Sequence, residues 1–137
     1  MKGRTAIPIA GLVGLAVVAA CAMRSMPEPS EGRAIYQANC AQCHGTEGRG
    51  DGPWAASHDP PPTDLTRLSK NGAFSRAEVL AVIDGYDRTG LPGQDMPEFG
   101  LLLEGPTVPV DTGDGVLTPT PRPLAALLAY LESLQST

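Results

Sequence analysis

Cys40-Ala41-Gln42-Cys43-His44 is a C-x-x-C-H run, and most of the chain takes its meaning from how these five residues are read. Two thiols separated by two residues, with an imidazole directly after them, have the spacing of a c-type haem attachment site. One helical turn spans the two vinyl groups to which the thiols add, and the next side chain points at the iron. On this reading Cys40 and Cys43 attach one covalent haem c and His44 is its proximal ligand. Three rivals use parts of the same pattern. A redox dithiol needs a strand-to-helix context that lowers one thiol pKa, whereas the residues before Cys40 read as helix. A structural zinc site needs about four ligands, usually as two spaced pairs, and Cys40, Cys43, His44 and His58 lack the second pair. A chance match is the third.

A haem held by His44 has a sixth iron position, and its occupant divides electron transfer from small-molecule chemistry. Met96, within Gly93-Gln94-Asp95-Met96-Pro97-Glu98-Phe99-Gly100, is the first candidate. Pro97 biases it toward extended backbone, and the flanking glycines argue against a helix core, where methionine commonly fills gaps. His58 is the alternative ligand and an open sixth site the second alternative. A His44–Met96 pair favours a six-coordinate one-electron carrier over an enzyme. An open or displaceable site would instead suit a haem enzyme or a gas-binding subunit.

The N-terminus supplies the compartment. Lys2 and Arg4 precede an apolar run from Ala6 to Ala20, the pattern of an export signal. The run ends in Val18-Ala19-Ala20-Cys21, which is similar to a bacterial lipoprotein signal and makes Cys21 the expected lipidation site. An ordinary signal cleaved near Ala22 or an uncleaved anchor helix are the alternatives, although the apolar run is short for a span of about 20 residues. More than one acyl chain on Cys21 would anchor the protein stably. The expected location is the periplasmic side of a bacterial membrane, or the soluble periplasm if no lipid is added. Export agrees with the haem reading, because c-type haem is attached outside the cytoplasm.

Residues 1–20 thus read as signal peptide, 21–30 as a tether carrying Pro27 and Pro29, and 31–137 as one domain. Removing the signal takes the charged residues from 10 basic and 15 acidic to 8 and 15, a balance of about −7. That balance gives no footprint for nucleic acid and is compatible with steering toward a basic docking surface. A domain of about 117 residues is small, and with 14 prolines and 16 glycines in the chain an apolar macrocycle is a natural centre for its core.

Three helices are expected. The first starts after Ser30 and runs from Glu31 to about Cys40 or Ala41, with Ala34, Ile35 and Ala38 as its apolar stripe. The second opens on the capping box Ser75-Arg76-Ala77-Glu78, presents Val79, Val82 and Ile83, and stops at Gly85. The third opens around Pro121 to Leu124 and spaces Leu124, Leu127, Leu128, Leu131 and Leu134 along one face. Gly45 to Lys70 reads as loop, with Pro60-Pro61-Pro62 forcing extended backbone. Residues 107–118 read as a small hairpin or an ordered excursion. Asp111 and Asp114 do not complete a calcium loop.

With these residues in view, the chain resembles a class I cytochrome c over about residues 31–134. Gly32 and Tyr36, eight and four positions before Cys40, match the family's glycine and aromatic, and Tyr130 matches their aromatic partner on the terminal helix. Cys40 to Gly45, the Gly48-x-Gly50-Asp51-Gly52-Pro53 stretch and Asp64-Leu65-Thr66 are similar to bacterial soluble and membrane-attached modules of this family. The resemblance implies an all-α fold of three main helices around the haem and a role as a one-electron carrier between redox protein partners. It also implies that a proline carbonyl from Pro60 to Pro62 accepts the His44 ring N–H. Trp54 would face a propionate or lie in the core. Residues 104–120 depart from the family pattern, which is usually short there.

Overall fold

The computed structural model describes residues 26–87, 96–113 and 115–135. The expected signal peptide and Cys21 lie outside them. Helix α1 spans Pro29–Asn39, and the short α2 spans Ala41–His44. Helix α3 is Arg76–Asp84 and α4 is Arg122–Ser133. Strands β1, Thr107–Asp111, and β2, Leu117–Pro121, form an antiparallel hairpin with Thr107 opposite Pro121 and Asp111 opposite Leu117. Single 3-10 turns occur at Ala55–Ser57 and Leu65–Arg67.

The first helix begins two residues before the expected Glu31. Glu28 replaces Ser30 as the cap because it forms a capping box with Glu31, and Pro29 suits the first helical position, where no amide hydrogen is needed. Helix α3 starts as expected, with Ser75 Oγ accepting from the Glu78 amide and Gly85 ending it. Helix α4 carries the leucine stripe: Leu124, Leu127, Leu128 and Leu131 are buried and Leu134 is half-buried.

Helices α1 and α4 cross at Gly32. A Cβ there would collide with the Ala126 carbonyl and with Tyr130, so only glycine permits this approach. One turn further on, the Tyr36 and Tyr130 rings meet with centroids 5.2 Å apart, tilted by 53°. Tyr36 is fully buried and donates from its hydroxyl to the Gly45 carbonyl oxygen at 2.6 Å. Burial is the main force holding its phenol well above the usual tyrosine range, with the nearby Cys40 thiol adding to the shift. The crossing therefore carries the motif helix on its far end.

The chain is not purely all-α. Val108 and Val110 alternate with exposed neighbours and bury their branched side chains against Ala125 and Leu128 of α4, a use of period-two sequence that only a strand allows. The hairpin extends to Pro121, past the expected end at 118, because its register carries it directly into α4. Arg76 ties three elements together. Its guanidinium makes three hydrogen bonds to the Glu132 carboxylate, at 3.2 and 3.0 Å from Nε and 2.9 Å from Nη2, and one to the Asp111 carbonyl at 3.4 Å. This clamp holds α3 against α4 and the hairpin, with an apolar cleft beneath α3.

Candidate functional site

The site is built on the C-terminal turn of the first helical segment. After Cys40 the chain makes one further turn, with the His44 amide donating to the Cys40 carbonyl at 2.9 Å. The carbonyls at a helix end need donors from elsewhere, and the glycine-rich loop that follows supplies them. Trp54 donates to Gln42, Gly52 to Cys43 and Gly50 to His44, at 2.9, 3.1 and 2.8 Å. Glycine is required in this loop for contact. At Gly50, where φ is +77°, a side chain would strike the Pro62 carbonyl.

That packing brings the proline run alongside His44 and decides which carbonyl orients it. The acceptor is Thr63, whose oxygen lies 2.9 Å from His44 Nδ1, and not a carbonyl of Pro60, Pro61 or Pro62. The Pro62 carbonyl is turned against Gly50, and the Leu65 amide pins the segment by donating to Gly48 at 2.6 Å. Thr63, the next residue, faces the ring. Sequence reasoning missed it by one position; its place directly after the prolines was the available signal.

With Nδ1–H donating to Thr63, Nε2 keeps its lone pair for a metal. Burial lowers the His44 pKa and His58 lowers it further, against the opposing pull of the Thr63 carbonyl. The neutral, ligating form is thus the favoured one.

His44 lines a cleft of two adjoining cavities that share Cys40, His44, Thr63, Met96 and Phe99. The expected ligand pair, His44 and Met96, is therefore brought to one cleft. Cys43 and His58 line only the outer cavity, where Cys43 Sγ and His58 Nε2 are 3.6 Å apart. Along the inner cavity run Val79, Val82 and Ile83 of α3 and Leu127 and Leu131 of α4. Val79 and Val82 are only half-buried, so these apolar side chains of α3 keep part of their surface open to the cavity they line. Trp54 is 58% exposed and lines neither cavity, so neither the core nor the cleft claims it.

The rivals to a haem site fare poorly against this geometry. Cys40 and Cys43 carry free thiols, and burial, reinforced by Cys43, pushes the Cys40 thiol up to about 11. A redox dithiol needs the reverse. The segment before Cys40 is helix α1, not a strand. Among the described residues no three His, Cys, Asp or Glu side chains gather as ligands of a bare metal ion, which leaves the zinc reading without a ligand set. The donor set fits haem c: two thiols on one turn, an oriented imidazole, a thioether in the same cleft, and an apolar wall where a macrocycle would bury its face.

A small helical domain with this cleft beside a C-x-x-C-H turn is a c-type cytochrome, a haem c protein of electron transfer. The family model described as cytochrome c oxidase, cbb3-type, subunit III matches residues 27–104, and the chain belongs to that family. No curated protein matches the chain. Among solved structures, a chain of the Kuenenia stuttgartiensis reducing HAO-like protein complex has a TM-score of 0.53 at 24% identity over 82% of this chain. The match covers 44% of that longer chain, and the likeness is one of fold.

Proposed function

We propose that this chain is a mono-haem c-type cytochrome that carries single electrons between redox protein partners on the periplasmic side of a bacterial membrane. The observation that carries the reading is the convergence of His44 and Met96 on one apolar cleft that Cys40 and Cys43 also line. When bound, haem c supplies an iron that accepts and returns one electron. Cys40 and Cys43 hold the group by thioether bonds. His44 is its proximal ligand, kept in one tautomer and orientation by the Thr63 carbonyl, and Met96 is its distal ligand. The walls of α3 and α4 exclude water, which favours a stable ligand pair and electron exchange with little rearrangement.

Residues 1–20 serve as export signal, Cys21 as the lipid attachment point, and the residues between Cys21 and the Glu28 cap of α1 as the tether to the cytochrome domain. The sequence pattern ending at Cys21 supports this assignment, and the partners are a redox donor and acceptor. No catalytic residue is assigned, because a filled sixth position leaves substrate no access to iron. A pyridine haemochrome spectrum and the mass of the purified protein test the core of the reading, with one haem bound through both cysteines expected. Rapid carbon monoxide binding to the reduced protein at neutral pH would favour a gas-binding or catalytic haem instead. Radiolabelled fatty acid that marked a control lipoprotein but not this chain would remove the lipid anchor.

A further inference from the structure

Haem carries two carboxylates, and an apolar cleft does not accept them without compensation. An unpaired buried carboxylate is strongly disfavoured, and a cation or hydrogen-bond donors must meet it. The vinyl groups that form thioethers and the two propionates project from opposite edges of the macrocycle. Cys43 lines only the outer cavity and Cys40 sits where the two cavities meet, so the propionate edge is directed away from the cysteines, along the inner cavity.

The inner cavity ends there in Lys70, Ser75 and Glu78. Among the described residues, Lys70 is the one lysine or arginine that lines either cavity. Its backbone is held on both sides. The Lys70 amide donates to the Ala73 carbonyl at 2.9 Å and the Ala73 amide returns a bond at 3.0 Å. The preceding Ser69 amide donates at 3.0 Å to Gln135, just beyond α4. The ammonium lies 3.0 Å from a Glu78 carboxylate oxygen. Both side chains are exposed, and an isolated surface pair of this kind adds little stability. Its position matters more than its strength, since it keeps a cation over the end of the cleft.

We infer that Lys70 receives a haem propionate, with Glu78 as the positioning residue that holds the ammonium over the inner cavity. An ammonium has three donors, so Lys70 can serve Glu78 and a propionate at once. The other side chains at this end are neutral: Ser75 caps α3 through its hydroxyl, Thr63 uses its carbonyl on His44, and the α4 contribution is Leu127 and Leu131. The inference rests on the haem reading above.

The test uses the full-length holoprotein, with covalent haem first verified by pyridine haemochrome. Resonance Raman spectra then follow the propionate bending band, which reports hydrogen bonding to the carboxylates, alongside the reduction potential. Lys70→Gln is expected to shift the band and lower the potential, because a cation that favours the reduced haem is lost; Lys70→Arg restores both. Glu78→Gln should raise the potential. Lys70→Ala gives a second neutral variant with the same expectation, and the backbone bonds of the 70–73 turn survive in each. Covalent haem with an unmoved band in both neutral variants would overturn this inference alone. Absence of covalent haem from the wild-type protein would overturn the haem reading and this inference with it.

Discussion

His44 Nδ1 and the Thr63 carbonyl oxygen are 2.9 Å apart, and this contact links the attachment turn to the loop that wraps it. A carbonyl cannot be removed by substitution, but its support can. Gly50 holds φ at +77° and packs against the Pro62 carbonyl. Gly50→Ala should cost about 1–3 kcal/mol from the left-handed backbone alone, and more if the Pro62 segment must move. Chemical denaturation measures the loss. A change in the paramagnetically shifted proton resonances of the oxidised holoprotein would show that the ring has lost its fixed orientation.

Tyr36 is a structural residue. Tyr36→Phe removes a buried 2.6 Å hydrogen bond and leaves the Gly45 carbonyl with only the Gly48 amide, at 3.2 Å, for an expected loss of about 1 kcal/mol. Tyr36→Ala should lose roughly 3–5 kcal/mol. The denaturation midpoint should fall in that order while the iron ligand set, read from the visible spectrum, stays the same in the Phe variant.

Gly32→Ala tests the helix crossing. The added methyl meets the Ala126 carbonyl and Tyr130, so α1 and α4 must separate. Overpacking of this kind costs typically about 1–3 kcal/mol. A melting temperature equal to that of the wild type would mean that the two helices do not approach as described.

Glu31 gives a pH-dependent term. Its hydrogen bond to Arg122, at 2.8 Å, holds its carboxyl below the usual value of 4.5. The folded pKa is thus lower than the unfolded one. The ion pair contributes fully above about pH 4.5 and is lost as pH falls through the lower folded value. Because the Glu31 side chain is 43% exposed, solvent screening holds the contribution to about 0.5 kcal/mol. Glu31→Gln should be less stable than the wild type at pH 7 and equal to it near pH 2, and added salt should narrow the difference at neutral pH.

Local signals made much of this molecule legible. The C-x-x-C-H turn, the Ser75 cap of α3 and the leucine stripe of α4 depend on residues within a few positions of one another. Gly32, Tyr36 and Tyr130 were read through family resemblance, and the structure places them in the expected contact. What the sequence left open was decided across distance. The oxygen that orients His44 depends on Gly50 packing against Pro62 and on Gly48 accepting from Leu65, both far along the chain from the glycine they meet. The hairpin's place in the fold depends on the α4 surface that Val108 and Val110 cover. At the start of α1, two capping solutions competed within three residues, and the reciprocal Glu28–Glu31 pair prevailed over Ser30.

The central claim is that His44 and Met96, which line one cleft, would be the two protein ligands of one haem iron. The near-infrared absorption spectrum of the oxidised holoprotein tests it most directly, comparing wild type with Met96→Ala. The account predicts a thioether-to-iron charge-transfer band in the wild-type protein that is lost in the variant. A band that survives in Met96→Ala, or that is absent from a wild-type protein carrying covalent haem, would contradict it.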